Sequence, residues 1–262
     1  MAPELVHLGG DFHCYASGVD EARFIYREIF QDRSYGGPDL PSEPLIVDVG
    51  ANIGLFSLYM KQRHPGAQIL AFEPAPETFD VLTRNLDLHG ASGVAAHRCA
   101  LGADRHTATL TYYPNVPGNS TLRAMDKVRD QEILREHFGV VKVEGWFRDP
   151  VEVEVPVHRL SDCLGRYVDK GDAIDLLKID VEGSEMSVLR GIDEADWWRV
   201  RHVLVEVTGL NGCREQVQDF LHNKGFTISY AAAREIPEGL KTGMLTAVRS
   251  PSNDDSGVDI KV

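Results

Sequence analysis

Four acids and two glycines carry the chemistry this sequence offers. In "PLIVDVGANIGLFS", Pro44 to Ser57, an apolar run reaches Asp48, and Gly50, Asn52 and Gly54 follow on the seam between a strand and a helix. In an open parallel sheet, ligands lie outside the carboxyl ends of the strands, where the strand order reverses. Gly50 would allow a tight turn with the ligand against the backbone, and Gly54 would open a helix whose amides point into the crevice. Glu73 ends "QILAFE", 25 residues after Asp48, where an acid can accept both hydroxyls of a ribose. Together these residues predict a nucleoside cradle.

A dinucleotide site would require G-x-G-x-x-G, whose middle glycine lets pyrophosphate lie on the helix start. Asn52 and Leu55 stand at the corresponding positions, and Asp48 adds negative charge. A phosphate-free ligand with ammonium and sulfonium charges suits the motif better. S-adenosylmethionine is such a ligand: its amino group can donate to an acid and its carboxylate can accept from backbone amides. In other classes, the competing readings are an NAD-dependent dehydrogenase and a nucleoside-binding module without catalysis. The missing glycine argues against the dehydrogenase.

"LLKIDVEGSE", Leu176 to Glu185, runs an apolar strand into three more acids. Asp180 and Glu182 are expected at the carboxyl edge of the strand beside the first, facing the same crevice. Carboxylates there can hold the ligand's amino group, bind a divalent ion or deprotonate an acceptor hydroxyl. Glu185 reads as a helix cap. Lys178 either points away from these acids or pairs with one across the strand, and both readings stand. His158, at the end of "VEVEVPVH", is a further candidate base. The catalytic candidates are therefore His158, Asp180 and Glu182, while His97 reads as packing.

The elements that must position these groups alternate in type from Leu45 onward. "LIVDV", "QILAFE" and "VAAHRC" read as strands separated by helices over 54–63 and 76–89, the signature of a parallel sheet covered on both faces. The alternation then breaks. "TATLTYY" and "VEVEVPV" have period two, with a polar helix between them, and the insert over about 103–160 is expected to serve substrate recognition. "AIDLLKID" and "HVLVEV" resume the core. After a helix over 213–224, "FTISYA" and "MLTAVR" lie too close together for a crossover and predict an antiparallel pair. Residues 1–43 read as a helical extension, 44–250 as the main domain and 251–262 as a mobile tail. Tyr26, Phe30 and Tyr35 are expected to form an aromatic lid, or else an apolar face docked on the core or on a second copy of the chain.

The 262 residues suffice for one large α/β domain. With 27 basic residues against 40 acidic, the formal charge is −13, which argues against nucleic-acid or membrane-surface partners. No apolar run approaches the ~20 residues of a membrane span, and the N-terminus lacks the layout of a signal peptide, so a cytoplasmic location is expected. Cys14, Cys99, Cys163 and Cys213 form no C-x-x-C pair and read as reduced, packed thiols.

"DVGANIGLFS", "AFEPAPETFDVLTRNL", "NSTL" and above all "LLKIDVEGSEMSVLRGI" resemble the FkbM-type family of S-adenosylmethionine-dependent methyltransferases, from about Pro44 to Arg249. "YREIFQDRSY" is similar to segments that precede the domain in natural-product members. The resemblance implies a class I methyltransferase fold, an α/β sandwich with a seven-stranded, mostly parallel sheet and its last strand antiparallel. It places Asp48, Gly50, Asn52 and Gly54 along the methionine part, Glu73 at the ribose and Ala100 and Leu101 beside adenine. Asn119 and Ser120 would close on the methionyl tail, and Asp180 would face its amino group. The expected reaction is O-methylation of a specialised metabolite, with S-adenosylhomocysteine as product. The alternative is C-methylation of an electron-rich alkene or ring, including one that cyclises through a carbocation.

Overall fold

Apolar runs of four to six residues, buried on both sides, form strands that only helices can connect in parallel. A computed structural model of the chain describes residues 2–32, 35, 38–165, 171–209, 212–234 and 236–249. The expected tail from Pro251 lies outside the described residues. In chain order the elements are β1 (Glu4–Gly9), β2 (Phe12–Ala16), α1 (Val19–Tyr26) with a π-helical turn Arg27–Gln31, β3 (Leu45–Val49), α2 (Leu55–Arg63), β4 (Gln68–Phe72), α3 (Pro76–Leu88), β5 (Val94–His97), β6 (Ala100–Leu101) and β7 (His106–Tyr112). They continue with α4 (Ala124–Phe138), α5 (Val140–Trp146), β8 (Val151–His158), α6 (Leu160–Leu164), β9 (Leu176–Ile179), α7 (Glu185–Arg190), α8 (Glu194–Trp197), β10 (His202–Val207), α9 (Cys213–Asn223), β11 (Phe226–Ala232) and β12 (Gly243–Arg249).

The main sheet has the order β11-β12-β10-β9-β3-β4-β5, with β12 antiparallel to both its neighbours and the other pairings parallel. This is the seven-stranded arrangement that the resemblance implied. From β3 the chain steps outward through β4 to β5 and then returns to the other side of β3 as β9. The switch point therefore lies between β3 and β9, whose ends meet as Val49 opposite Ile179. Successive side chains take opposite faces. Val47, Val49, Leu177 and Ile179 pack on the side of α6, α7 and α9, and Ile46, Ile69 and Leu176 on the side of α2 and α3.

The insert forms a second sheet of order β6-β8-β7, together with α4, α5 and the 3-10 turn Pro117–Asn119. Two of its three strands, β7 and β8, are the period-two segments. Among the described residues, no helix is long and apolar enough to cross a membrane.

The N-terminal extension, expected to be helical, opens instead with the hairpin β1–β2. Asn85 of α3 secures it, exchanging hydrogen bonds with both the amide and the carbonyl of Tyr15 and donating also to the carbonyl of Ile53. Tyr26 stacks on Phe30 with ring centroids 4.5 Å apart, and both rings lie against Phe12 of the hairpin. Phe30 also meets Tyr59 of α2 edge-on at 5.1 Å. These two aromatics thus dock the extension on the core and do not cover the crevice, which corrects the lid expected from them. Tyr26→Ala should lower stability by on the order of 2 kcal/mol in urea unfolding, less than the loss of a fully buried ring. It should leave S-adenosylhomocysteine affinity, measured by calorimetry, unchanged.

Candidate active site

The loop after β3 crosses the end of β4, with the amides of Gly50 and Ala51 both donating to the carbonyl of Phe72. Gly50 has φ 78°, and a Cβ there would lie 1.8 Å from the carbonyl oxygen of Asp180. It is glycine because the loops after β3 and β9 touch backbone to backbone. Gly54, with φ 89°, starts α2, and a Cβ there would meet Leu82 of α3 at 2.6 Å. Its role is helix packing. Between them Asn52 takes a left-handed conformation, φ 49°, which asparagine tolerates better than most residues.

Two adjoining cavities open at the switch point, of about 640 and 80 Å³. Gly50, Asn52, Gly118, Asp180 and Glu182 line both and so form the neck between them. The smaller cavity is flanked by Glu73, Ala100, Leu101 and Ser120. Asn119 and Tyr35 face the larger. The structure therefore brings together most of the residues singled out for a nucleoside ligand. Beside Tyr26 and Phe30, it leaves three more of the sequence candidates outside: Asp48, Gly54 and His158 line neither cavity. His158 ends β8 half-buried, opposite Leu101 of β6, and its carbonyl accepts the amide of Gly102. The period of β8 and its place in the second sheet carry the ring away from the acids. His97 stacks on Phe72 at 4.9 Å.

Asp48 is fully buried because it serves Lys178. The two are register partners on adjacent parallel strands and so share a face. Lys178 Nζ lies 3.2 Å from Asp48 Oδ1 and 3.5 Å from Asp180 Oδ2, and it donates to the carbonyl of Gly50 at 2.7 Å. Ser57 donates to the other Asp48 oxygen at 2.7 Å. Burial alone would lower the Lys178 pKa, but Asp48 and Asp180 outweigh it and hold the ammonium above its ordinary range. The two alternatives left open for Lys178 resolve in favour of pairing. Sequence reasoning did not find it as a site residue, although a lysine inside an apolar strand two positions before an acid was the available signal.

Asp180 also accepts the hydroxyl of Tyr35 at 3.1 Å. Glu206 of β10 lies beside it. Burial and, after it, the neighbouring Asp180 push the Glu206 pKa well above the usual carboxylate range. Oxygens of Asp180, Glu182 and Glu206 lie within 4.8 Å of one another and could take a divalent ion. Glu182, at φ 54°, is clasped by the insert: Lys127 of α4 pairs with its carboxylate, and Thr121 Oγ1 donates to its carbonyl at 2.7 Å. Burial nonetheless raises the Glu182 pKa against the pull of Lys127. Glu185 accepts the amide of Gly183 at 2.8 Å in the first turn of α7, the capping contact expected of it.

Glu73 accepts from the amides of Asn52 and Ala75 at 3.0 and 2.9 Å, one on each oxygen. Burial lifts its pKa from 4.5 to about 7, against those two amides and Lys178. Each oxygen retains a lone pair for a ligand hydroxyl. Asn52 Oδ1 is buried with no hydrogen-bond partner among the described residues. An orphaned acceptor in the neck and an acid in the small cavity fit a ligand that brings both ammonium and ribose donors.

The comparisons with known proteins agree with this geometry. The family model described as "Methyltransferase FkbM domain" matches residues 48–228. Methyltransferase sdnD of Sordaria araneosa is 47% identical over 254 residues, covering 94% of this chain and 97% of that protein. The 31-O-demethyl-FK506 methyltransferase FkbM of Streptomyces tacrolimicus is 38% identical over 223 residues, covering 79% and 83%. Among solved structures, the methyltransferase FkbM of Methylobacillus flagellatus superposes with a TM-score of 0.53 at 16% identity. That match takes in 84% of this chain and 47% of the other, and at that identity it speaks for the fold.

Lys178→Met would leave Asp48 buried without a cation among the described residues. It should cost about 3–5 kcal/mol in chemical denaturation, and the double variant with Asp48→Asn should recover part of that loss. A single variant as stable as the parent would show that the pair carries no weight.

Proposed function

Because the chain belongs to the FkbM-type family of S-adenosylmethionine-dependent methyltransferases, we propose that it methylates a hydroxyl oxygen on a specialised small molecule. The observation that carries this reading is the polarity of the larger cavity. Its inner end, at the neck, holds Asp180, Glu182 and Glu206, and its outer wall is apolar, with Phe24, Leu134, Phe138, Trp146 and Phe147. An acceptor with an apolar body and a hydroxyl directed at carboxylates fits those walls. A carboxyl-rich inner end orients an acceptor hydroxyl, whose proton must leave, and so favours O- over C-methylation. The name of the Streptomyces relative describes methylation at oxygen in that protein. Family membership sets the dehydrogenase reading aside.

In this reading Glu73 takes the ribose hydroxyls, Ala100 and Leu101 flank the base, and Asn52, Asn119, Ser120 and Asp180 hold the methionyl part. When bound, S-adenosylmethionine supplies a methyl group already activated by the sulfonium charge. The residues of the chain bind, orient and exclude water, placing the acceptor at near-attack distance. A divalent ion on Asp180, Glu182 and Glu206 would orient the acceptor oxygen in addition.

Two measurements test this reading. Labelled methyl transferred to a hydroxylated apolar probe should give a methoxy signal by carbon NMR, and a C-methyl signal would overturn the assignment to oxygen. The second concerns Glu73. Its folded pKa lies above its ordinary value, so its contribution to stability is present below about 4.5 and is lost as pH rises to about 7. A ligand that donates to the carboxylate must displace that proton. S-adenosylhomocysteine affinity should therefore rise with pH, by up to about tenfold per unit, and level off above about 7. Glu73→Gln should abolish the dependence in calorimetric titrations.

A further inference from the structure

The larger cavity has several carboxylates in its wall, and most are already committed. Asp180 faces Lys178 and accepts from Tyr35. Glu182 pairs with Lys127, and Asp130 lies 3.7 Å from the same lysine. Glu206 lies beside Asp180, and the two carboxyls with Glu182 have oxygens within 4.8 Å of one another. Glu21 differs from these. It comes from α1, outside the methyltransferase core, and its Oε1 accepts one hydrogen bond, from the amide of Gly118 at 3.0 Å. Among the described residues no cation pairs with it. Glu21 lines the larger cavity and holds Gly118, which lines both, so it stands on the larger cavity's side of the neck.

We propose that Glu21 is the general base of the methyl transfer and that its acceptor is an uncharged hydroxyl on an apolar body. This rests on the methyl-transfer reading above. A lone pair of the acceptor oxygen forms the bond to the methyl carbon, while the carbon–sulfur bond breaks with its electron pair going to sulfur. The hydroxyl proton passes to the Glu21 carboxylate. An ether, a neutral thioether and a neutral carboxyl group result, so atoms and charge balance. The acceptor is uncharged because the cations in the cavity wall among the described residues, Lys127 and Lys178, are both engaged by carboxylates. A phosphate or carboxylate on the acceptor would face Glu21 with no uncommitted cation among the described residues of the wall.

The titration of Glu21 suits the role. Burial lifts its carboxyl from 4.5 to about 8, against the Gly118 amide and with a further push from Glu182. Glu182 from the core and Tyr112 of β7 interact with it electrostatically, and Asp20 of its own helix, Glu28 of the following π-turn, and Lys127 and Asp130 of α4 line the same cavity. General-base catalysis favours a pKa close to the working pH.

The test uses the full chain, S-adenosylmethionine with a labelled methyl group, and two probes: octyl β-glucoside, which joins neutral hydroxyls to an apolar chain, and its phosphate ester. Transfer to the neutral probe is expected, with a rate that rises with pH to a plateau above about 8. Glu21→Gln should lower that rate at least about 100-fold and remove the rising limb, whereas Glu21→Asp should keep the limb. S-adenosylhomocysteine affinity of the Gln variant, read by calorimetry, should match the parent. In carbon NMR the Glu21 carboxyl, identified by its loss in that variant, should titrate near 8. Undiminished turnover or a retained limb in Glu21→Gln would overturn the base. Failure of the neutral probe, or equal use of its phosphate ester, would overturn the acceptor class. A parent protein that fails to bind S-adenosylhomocysteine would overturn the methyl-transfer reading, and this proposal with it.

Discussion

A buried ammonium between two strand ends organises the whole site. Lys178 sits where β3 and β9 diverge from the switch point, and removing its charge from water is costly unless the neighbours compensate fully. They do: Asp48 answers from the register position opposite, Asp180 from two residues further along the same face, and the carbonyl of Gly50 from the loop between. Asp180 is thereby aimed at the neck, and the two loops are drawn so close that a side chain on Gly50 would collide with the Asp180 carbonyl. Loops fixed this tightly give a ligand preformed walls and reduce the ordering cost of binding.

The segments outside the core close the site by gripping the same loops. Lys127 and Thr121 of the insert hold Glu182 by its carboxylate and its carbonyl, and Lys127 also reaches Asn119 at 3.2 Å. Glu182 can keep its left-handed backbone, uncommon for a residue with a Cβ, because both ends of the residue are tied down. The extension reaches in from the other side through Glu21 and Gly118. The core and the insert thus line the smaller cavity together, and the extension joins them in the wall of the larger.

What was legible in the sequence follows from the range of the forces involved. The strands "LIVDV" and "HVLVEV" were readable because continuous apolar runs bounded by turns reflect burial on both faces, a local property. So were Gly50, Asn52 and Glu73, set by the turn after a strand. The hairpin β1–β2 was not, although Gly9 and Gly10 separate two short alternating runs. Those runs are half-exposed, and their docking depends on Asn85, some 70 residues away. The pairing of Lys178 with Asp48 needs the register between strands 130 residues apart, which no spacing within either strand reveals. The turn of α1 that put Tyr26 and Phe30 against the hairpin was equally invisible, since two faces of that helix are apolar. One meets the core, and the other, with Phe24 and Ile25, meets the cavity.

The acids that looked alike in the sequence differ in the fold by what surrounds them. Asp48 and Asp180 share one ammonium, and Glu182 has another. Each of these is committed to an ion pair, which a proton taken from an acceptor would disrupt. Glu206, beside Asp180, has its pKa raised by burial first and by that neighbouring carboxylate second. An ion pair does not suit a group that must gain a proton during a reaction and lose it afterwards. That task requires a buried carboxyl with a hydrogen bond to orient it and no cation to fix its charge. A site with a cationic methyl donor has reason to keep such a group on the acceptor side of the neck, where the donor's own charge favours the ionised form when the reaction begins.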